Sequence, residues 1–423
     1  MKKFFLALLM IQAAGFVFSS CKKNISTDKE QLQVSSLMKA APHDKNEKKI
    51  HVSTVNELYD VVNDPVNAAS QIELAPGTYA LNSNHPNAGR IEFLYDMEIH
   101  GQSGHPESVV IDGSGLPASS FLLTPNPAFP GVKRTGVIRM GNGSNTIEWV
   151  TIKGYPSTDA YSVIETDLNK TPLTNIRVAH CIVTGGQIGI NIRNRDQEAN
   201  GRIIEAKIEH NELSENLAGF GQGIGIFNAR DVTGGIIRAS LEGNYVHDNR
   251  MGLRAWNVVS NQCVIAVQSI NDRFEDNGLG VALLGAFNEY PNFTANNNFT
   301  GFVAHGTTIL NNQGVPALPT GTAQVLPGGI MATGSQVSVN SLPGTASGNR
   351  LEIELWGCRF DGNLPPNDIN AFGARSTFPS PLPAGTNNVV NIQLHGVSQN
   401  AIVGVTASFP VEPAGTNVVN VIR

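Results

Sequence analysis

The sequence predicts an all-β solenoid of three parallel sheets, and two patterns carry that prediction. The first is a six-residue phrase: NELSEN at Asn211–Asn216 returns as NYVHDN at Asn244–Asn249 and DRFEDN at Asp272–Asn277. Looser copies are CIVTGG at Cys181–Gly186, TTILNN at Thr307–Asn312, CRFDGN at Cys358–Asn363 and HGVSQN at His395–Asn400, so successive starts (181, 211, 244, 272, 307, 358, 395) lie 28 to 51 residues apart. That range suits rungs carrying loops of unequal length. The second pattern is a common order within each rung. A strand such as RIIEAKIEH or CVIAVQSI comes first, then the Asn corner with a short strand such as ELSEN or YVHDN. A Gly-containing turn leads to a third strand: IGINIRN, GIGIFN, GLRAWN or VALLGAFN. Three short strands per turn, apolar at every second position, give three parallel sheets around a filled core. Asn recurring at one corner predicts a ladder of stacked amides, in which a lost rung costs about 1–3 kcal/mol.

Taken in order, the chain opens with MKKFFLALLMIQAAGFVFSSC. The basic start, the apolar run Phe4 to Phe18 and the small residues before Cys21 read as an export signal over residues 1–20, too short for a spanning helix. A lone Cys after small residues resembles a bacterial lipoprotein box, which implies lipidation of Cys21 and a place in the bacterial cell envelope, on the outer membrane. Phe18 stands where such boxes usually carry Leu, so a plain secretory cut is the alternative. Residues 21–49, rich in Lys, Ser, Asp and Gln, read as a flexible tether. The folded body is expected over 50–423. It begins with HVSTVNELYDVVND, where Thr54 and Glu57 have capping-box spacing and Val55, Leu58, Val61 and Val62 share one helical face. This predicts a short N-terminal helix capping the open end of the solenoid. Strands are expected at Gln71–Leu74, Ile91–His100, Val109–Asp112 and Val137–Met140, broken at Gly, Pro and Asn.

The capping helix, the phrases IELAPGTY and VVIDGSG and the Asn-corner rungs resemble the pectin-lyase-like family of right-handed parallel β-helices, over roughly residues 50–423. The resemblance implies the fold and an extracellular polysaccharide as partner, lying along the sheet of third strands. It does not choose among hydrolases, lyases, epimerases and non-catalytic adhesion or scaffold solenoids.

Composition removes other classes. Formal net charge is -6 with 15% charged residues, so no basic face for nucleic acid is expected. GFGQGIG at Gly219–Gly225 opens a strand rather than a helix, which removes the nucleotide-loop reading. Cys181 and Cys358 occupy one repeat slot five rungs apart, about 24 Å at strand spacing, and read with Cys263 as buried hydrophobes. His210 and His247, at or beside the Asn corner, read as surface residues with hydrogen-bonding neighbours.

Candidate site residues follow from aligning the third strands. Ile192, Ile226, Ala255 and Ala286 point inward, and Asn194, Asn228, Asn257 and Asn288 form a second ladder. By alternation Arg193, Phe227, Trp256 and Phe287 point outward, with Arg254 one step earlier on that face. Such a column is either a platform on which sugar rings stack while arginines hold uronate or sulfate, or a satellite core under a loop. Asp196 and Asp231, each preceded by an arginine (Arg195, Arg230), fall on neighbouring rungs about 5 Å apart. They read as a carboxylate pair or as turn ion pairs, with Glu165, Asp167 and Glu289 near the same rim. No cofactor is expected: calcium-assisted chemistry needs several acids on the strand face, where Asn, Gly, Arg and aromatics stand. Lysine is absent after Lys207, and Lys153 and Lys207 fall on the other sheets, so a lyase base would be Arg193 or Arg254.

Overall fold

The computed structural model describes residues 48–423 apart from 102–103, 124–132, 157–160, 169–170, 218–220, 289, 291, 314–327, 338–345, 365–367, 377–384, 398–402 and 410–416. Cys21, the tether and Glu289 therefore lie outside the described residues.

Period-two alternation places one face of every strand inward. In the third sheet Ile138, Ile164, Ile190, Ile224, Leu253, Val281, Ile330 and Ile369 pair across successive strands and are all fully buried. Stacked aliphatic columns of this kind are the main stabilising element, at about 1.5–3 kcal/mol per buried side chain. Among the described residues the strands form three parallel sheets of 12, 9 and 11 members, visited in turn by the chain, and one antiparallel pair, Leu122–Leu123 with Lys133–Arg134. The first runs from Lys48–Val52 to Val418–Ile422, and the second from Gly77–Ala80 to Arg359–Asp361. The third begins at Ile91–Glu92 and includes Val403–Phe409. This is the architecture of a right-handed parallel β-helix.

The helix forms as the spacing requires, over Val55–Asn63, with Thr54 and Glu57 making both bonds of the capping box. Leu58, Tyr59 and Val62 are its buried residues, while Val55 and Val61 pack partly buried against the core. The expected strand Ile91–His100 is instead two: Ile91–Glu92 joins the third sheet and Met97–Gly101 the first. The chain turns a corner between them, so one apolar run serves two sheets.

The Asn corner is a set of amide ladders rather than one. Asn211 Nδ2 donates to Asn244 Oδ1 at 3.0 Å, and Asn244 Nδ2 to Asp272 Oδ1 at 2.8 Å. At the other end of the short strand Asn216, Asn249, Asn277, Asn312 and Asn363 stack, each backbone N–H donating to the next side-chain oxygen. A further ladder, Asn298–Asn349–Asn388–Asn417, closes the rung. These columns press on the third strand. A Cβ on Gly189 would stand 2.6 Å from the Gly223 carbonyl oxygen and 3.1 Å from Asn216 Nδ2, so a larger residue there would displace the ladder.

The three cysteines are buried and unbridged. Burial raises the Cys181 thiol to about 12 and those of Cys263 and Cys358 to about 11. At those values none is a thiolate near neutral pH. His210 is exposed and stacks on His180 (5.1 Å), while His247 bonds the exposed Asp248 at 2.7 Å.

Candidate functional site

The outer face of the third sheet is assembled by strand register. One row across it reads Glu92, Arg139, Glu165, Asn191, Gly225, Arg254, Ala282 and Met331. Two residues further along the strands, the next row reads Arg193, Phe227, Trp256, Leu284, Thr333 and Phe372. The outward slots thus do carry acids, in early strands that lack the Asn-corner phrase.

Those acids are committed to guanidiniums. Arg139 reaches Asp167 and Glu92, both at 2.8 Å. Arg195 bridges Asp167 at 3.0 Å and Glu165 at 3.3 Å, and Arg193 lies 3.6 Å from Glu165. Ser162 Oγ and Asn191 Nδ2 donate to the other Glu165 oxygen at 2.6 and 2.9 Å, and Thr135 Oγ1 donates to Asp167 at 3.1 Å. Burial alone would raise the Asp167 carboxyl, but the Arg195 and Arg139 charges outweigh it and hold the group below its usual range. Arg193 is pulled the other way: burial, with the like charges of Arg195 and Arg230, brings it down to about 9 against the opposing pull of Glu165. Its side chain keeps 17% exposure, against 12% for Arg139, 1% for Glu165 and none for Asp167, so Arg193 is the most exposed of these four members of the network.

Beyond Arg193 the face turns apolar. Phe227 and Trp256 are 6% and 5% exposed and join a cluster with Met251, Val258, Leu284 and Met331, separate from the main core. Arg254 lies over the Trp256 ring at 3.3 Å and over the Phe227 ring at 5.3 Å. The satellite-core arrangement is therefore the observed one, with the rings packed rather than presented.

Register also corrects Phe287. A bulge after Trp256 gives the next strand one extra residue, so Trp256 pairs with Leu284 and Phe287 is level with Val258. Phe287 still meets Trp256 edge-on at 5.3 Å. The same shift removes Asn288 from the inner ladder. Asn194, Asn228 and Asn257 stack as expected, but the last amide donates to Thr300 Oγ1, while Asn288 donates to the Phe293 carbonyl.

Asp196 and Asp231 also fall out of step. Arg195 pairs with Ala229, so one residue on, Asp196 is level with Arg230 rather than with Asp231. Asp196 is buried at φ 64°, whereas Asp231, at φ 68°, is partly exposed and accepts from Gln197 Nε2. Arg195 turns into the ion network, and the partly exposed Arg230 adds a smaller like charge to the burial and the Arg195 charge that depress Arg193. Glu165 and Asp167, expected near a rim, are instead the centre of that network. Among the described residues no group of three or more His, Cys, Asp or Glu side chains is placed to hold a metal ion.

Sequence reasoning missed Glu92, Arg139 and Arg202. The first two stand in outward slots of short strands, a signal readable once those strands are assigned to the third sheet. Arg202 donates to the carbonyls of Thr166 and Gly141 from a turn, and nothing in its sequence position announces that.

No family model matches the chain, and no curated protein matches it. Solved structures of parallel β-helix fold do align with it. Pectate lyase Pel9A aligns at 11% identity and TM-score 0.36, over 87% of this chain and 80% of its own. The catalytic domain of GH87 α-1,3-glucanase in complex with nigerose aligns at 12% identity and TM-score 0.28, over 90% and 70%. The A-module of Azotobacter vinelandii mannuronan C-5 epimerase AlgE6 aligns at 12% identity and TM-score 0.27, over 88% and 98%. Likeness at this level says nothing of activity, and the fold assignment rests on the three sheets themselves.

Proposed function

We propose that this protein is an envelope-anchored β-helix that binds an extracellular anionic polysaccharide on the outer face of the third sheet, at the boundary between its ion network and its apolar cluster, where Arg193 and Arg254 flank Phe227. The observation that carries this reading is Arg193: a guanidinium crowded by Arg195 and Arg230, kept partly exposed beside a buried ion network. An arriving carboxylate or sulfate would add the negative charge this cluster lacks. Because Phe227 and Trp256 are packed, the polymer meets the face at this boundary rather than lying along its length. Arg195 and Arg230 support the charge from behind, and Phe287, half-buried, packs against Trp256. Lipidation at Cys21 holds the solenoid to the outer membrane, and the helix Val55–Asn63 caps its end.

Titration of the full chain with uronate and sulfated oligosaccharides tests the reading. Binding that weakens at least tenfold in Arg193→Ala and in Arg254→Ala is expected; unchanged affinity in both variants refutes it. Loss of labelled-lipid incorporation in Cys21→Ser tests the anchor.

A catalytic reading has one observation of its own. With its proton held less tightly than usual, to about 9, Arg193 is the group best suited to take a proton from a uronate carbon in an elimination. It predicts unsaturated chain ends that rise with pH and vanish in Arg193→Ala. If no anionic polysaccharide yields them, binding without cleavage stands.

A further inference from the structure

The boundary defined by Arg193 carries polar atoms that the fold leaves unmet. Asn191 and Gln222 are each 1% exposed, yet Asn191 Oδ1 and Gln222 Oε1 have no hydrogen-bond partner. Beside them Arg193 Nε and Trp256 Nε1 also donate to nothing. The two oxygens are neighbours by register. Asn191 pairs with Gly225, and a Cβ on Gly225 would stand 2.9 Å from Gln222 Oε1. Asn191 is held from its other side, its Nδ2 donating to Ser162 Oγ at 3.1 Å and Glu165 at 2.9 Å, so its oxygen is fixed as an acceptor. A protein that stranded such groups without use would be less stable for it.

We infer that Asn191 and Gln222 are specificity-determining residues: they accept hydrogen bonds from free secondary hydroxyls of the sugar whose anionic group rests on Arg193. This rests on the glycan reading above and sharpens it. Acceptor oxygens reward a hydroxyl and reject the same position when it is esterified, because an O-acetyl group has no proton to give and adds bulk. The ring of Phe227 stands over Gly225, its Cε2 2.6 Å from where a Cβ would be, so entry of the sugar from the Arg193 side requires that packed ring to turn aside.

Calorimetric titration of the full chain with an oligogalacturonate, and with the same oligomer O-acetylated at its secondary hydroxyls, provides the test. Wild-type protein is expected to bind the free oligomer about tenfold or more tightly than the acetylated one. In Gln222→Leu, which removes an unmet acceptor and so should fold at least as well, that preference should fall to within about twofold. Asn191→Leu should do the same, and its melting temperature checks for loss of the Glu165 contact. Equal wild-type affinity for the two oligomers overturns this inference and leaves the anionic-glycan reading intact. So does a preference that survives in Gln222→Leu. No binding of either oligomer by wild-type protein overturns this inference together with the uronate form of that reading.

Discussion

From Glu92 to Arg195 the outer face of the third sheet is a buried ion network, whereas from Phe227 to Phe372 the same face is an apolar cluster. The strands beneath belong to one parallel sheet and present alternating slots, with a register shift after Trp256. What differs is how the slots are covered. In the first half every carboxylate has a guanidinium, and the cost of removing charge from water is offset by several hydrogen bonds per group. In the second half ring burial and dispersion dominate, and Arg254 brings a full charge onto the Trp256 and Phe227 rings. An ion network requires each partner at its place, while an apolar cluster tolerates repacking. Where the two meet, at Arg193, neither device is complete, and that is where a ligand has something to add.

The largest expected effect comes from breaking the first half. Asp167→Ala leaves Arg139 and Arg195 without their shared carboxylate and should cost about 3–5 kcal/mol of unfolding free energy in denaturant titration. A loss below about 1 kcal/mol would mean the network contributes no more than a surface pair. Breaking the second half should cost somewhat less. Trp256→Ala removes a buried ring and the stacking surface of Arg254, about 3 kcal/mol, and Trp256→Phe should recover most of it. The opposite ranking after these substitutions would reverse the comparison.

A buried carboxylate with no such cation sharpens the contrast further. Asp272 replaces an amide in a ladder, and burial raises it to about 6, although Ser269 and Asn244 donate to it. The signs are opposite for the two acids. Asp167, depressed in the fold, supplies stability above the unfolded carboxylate pKa and loses it as pH falls through its lower folded value. Asp272, raised in the fold, is favourable when protonated and costs stability as pH rises from about 4 to 6. Asp272→Asn should therefore stabilise the protein by about 1–3 kcal/mol at pH 8 and by little at pH 4, followed as melting temperature against pH. A flat difference across that range would show that Asp272 titrates in the folded protein as it does in the unfolded chain. The smallest effect belongs to Asp231→Asn, within about 0.5 kcal/mol, because that carboxylate is partly exposed and meets a glutamine.

Much of the architecture was legible because it repeats. NELSEN and its copies marked the corners where Asn211, Asn216, Asn244 and Asn249 stack, and the capping-box spacing located the helix start at Thr54. The ladder Asn298–Asn349–Asn388–Asn417 was not marked by the NELSEN phrase, because insertions of unequal length separate its rungs. The outward row was legible as far as Trp256. It failed at Phe287 because one inserted residue in a strand changes every later pairing while leaving the alternation of apolar residues plausible.

By itself, then, the sequence determined the periodic part: which residues face inward, where the chain turns, and that Arg193, Phe227, Arg254 and Trp256 share an outer face. Those properties follow from local alternation and short-range turn chemistry, which neighbouring residues encode. Tertiary structure decided the rest: that the rings are packed, that Glu92 and Asp167 reach arginines tens of residues away, and that Asn191 and Gln222 keep unmet oxygens beside Gly225. Burial, ion pairing and orphaned polar atoms depend on what strands from different rungs bring together, and that is set by register and loop length rather than by any single repeat.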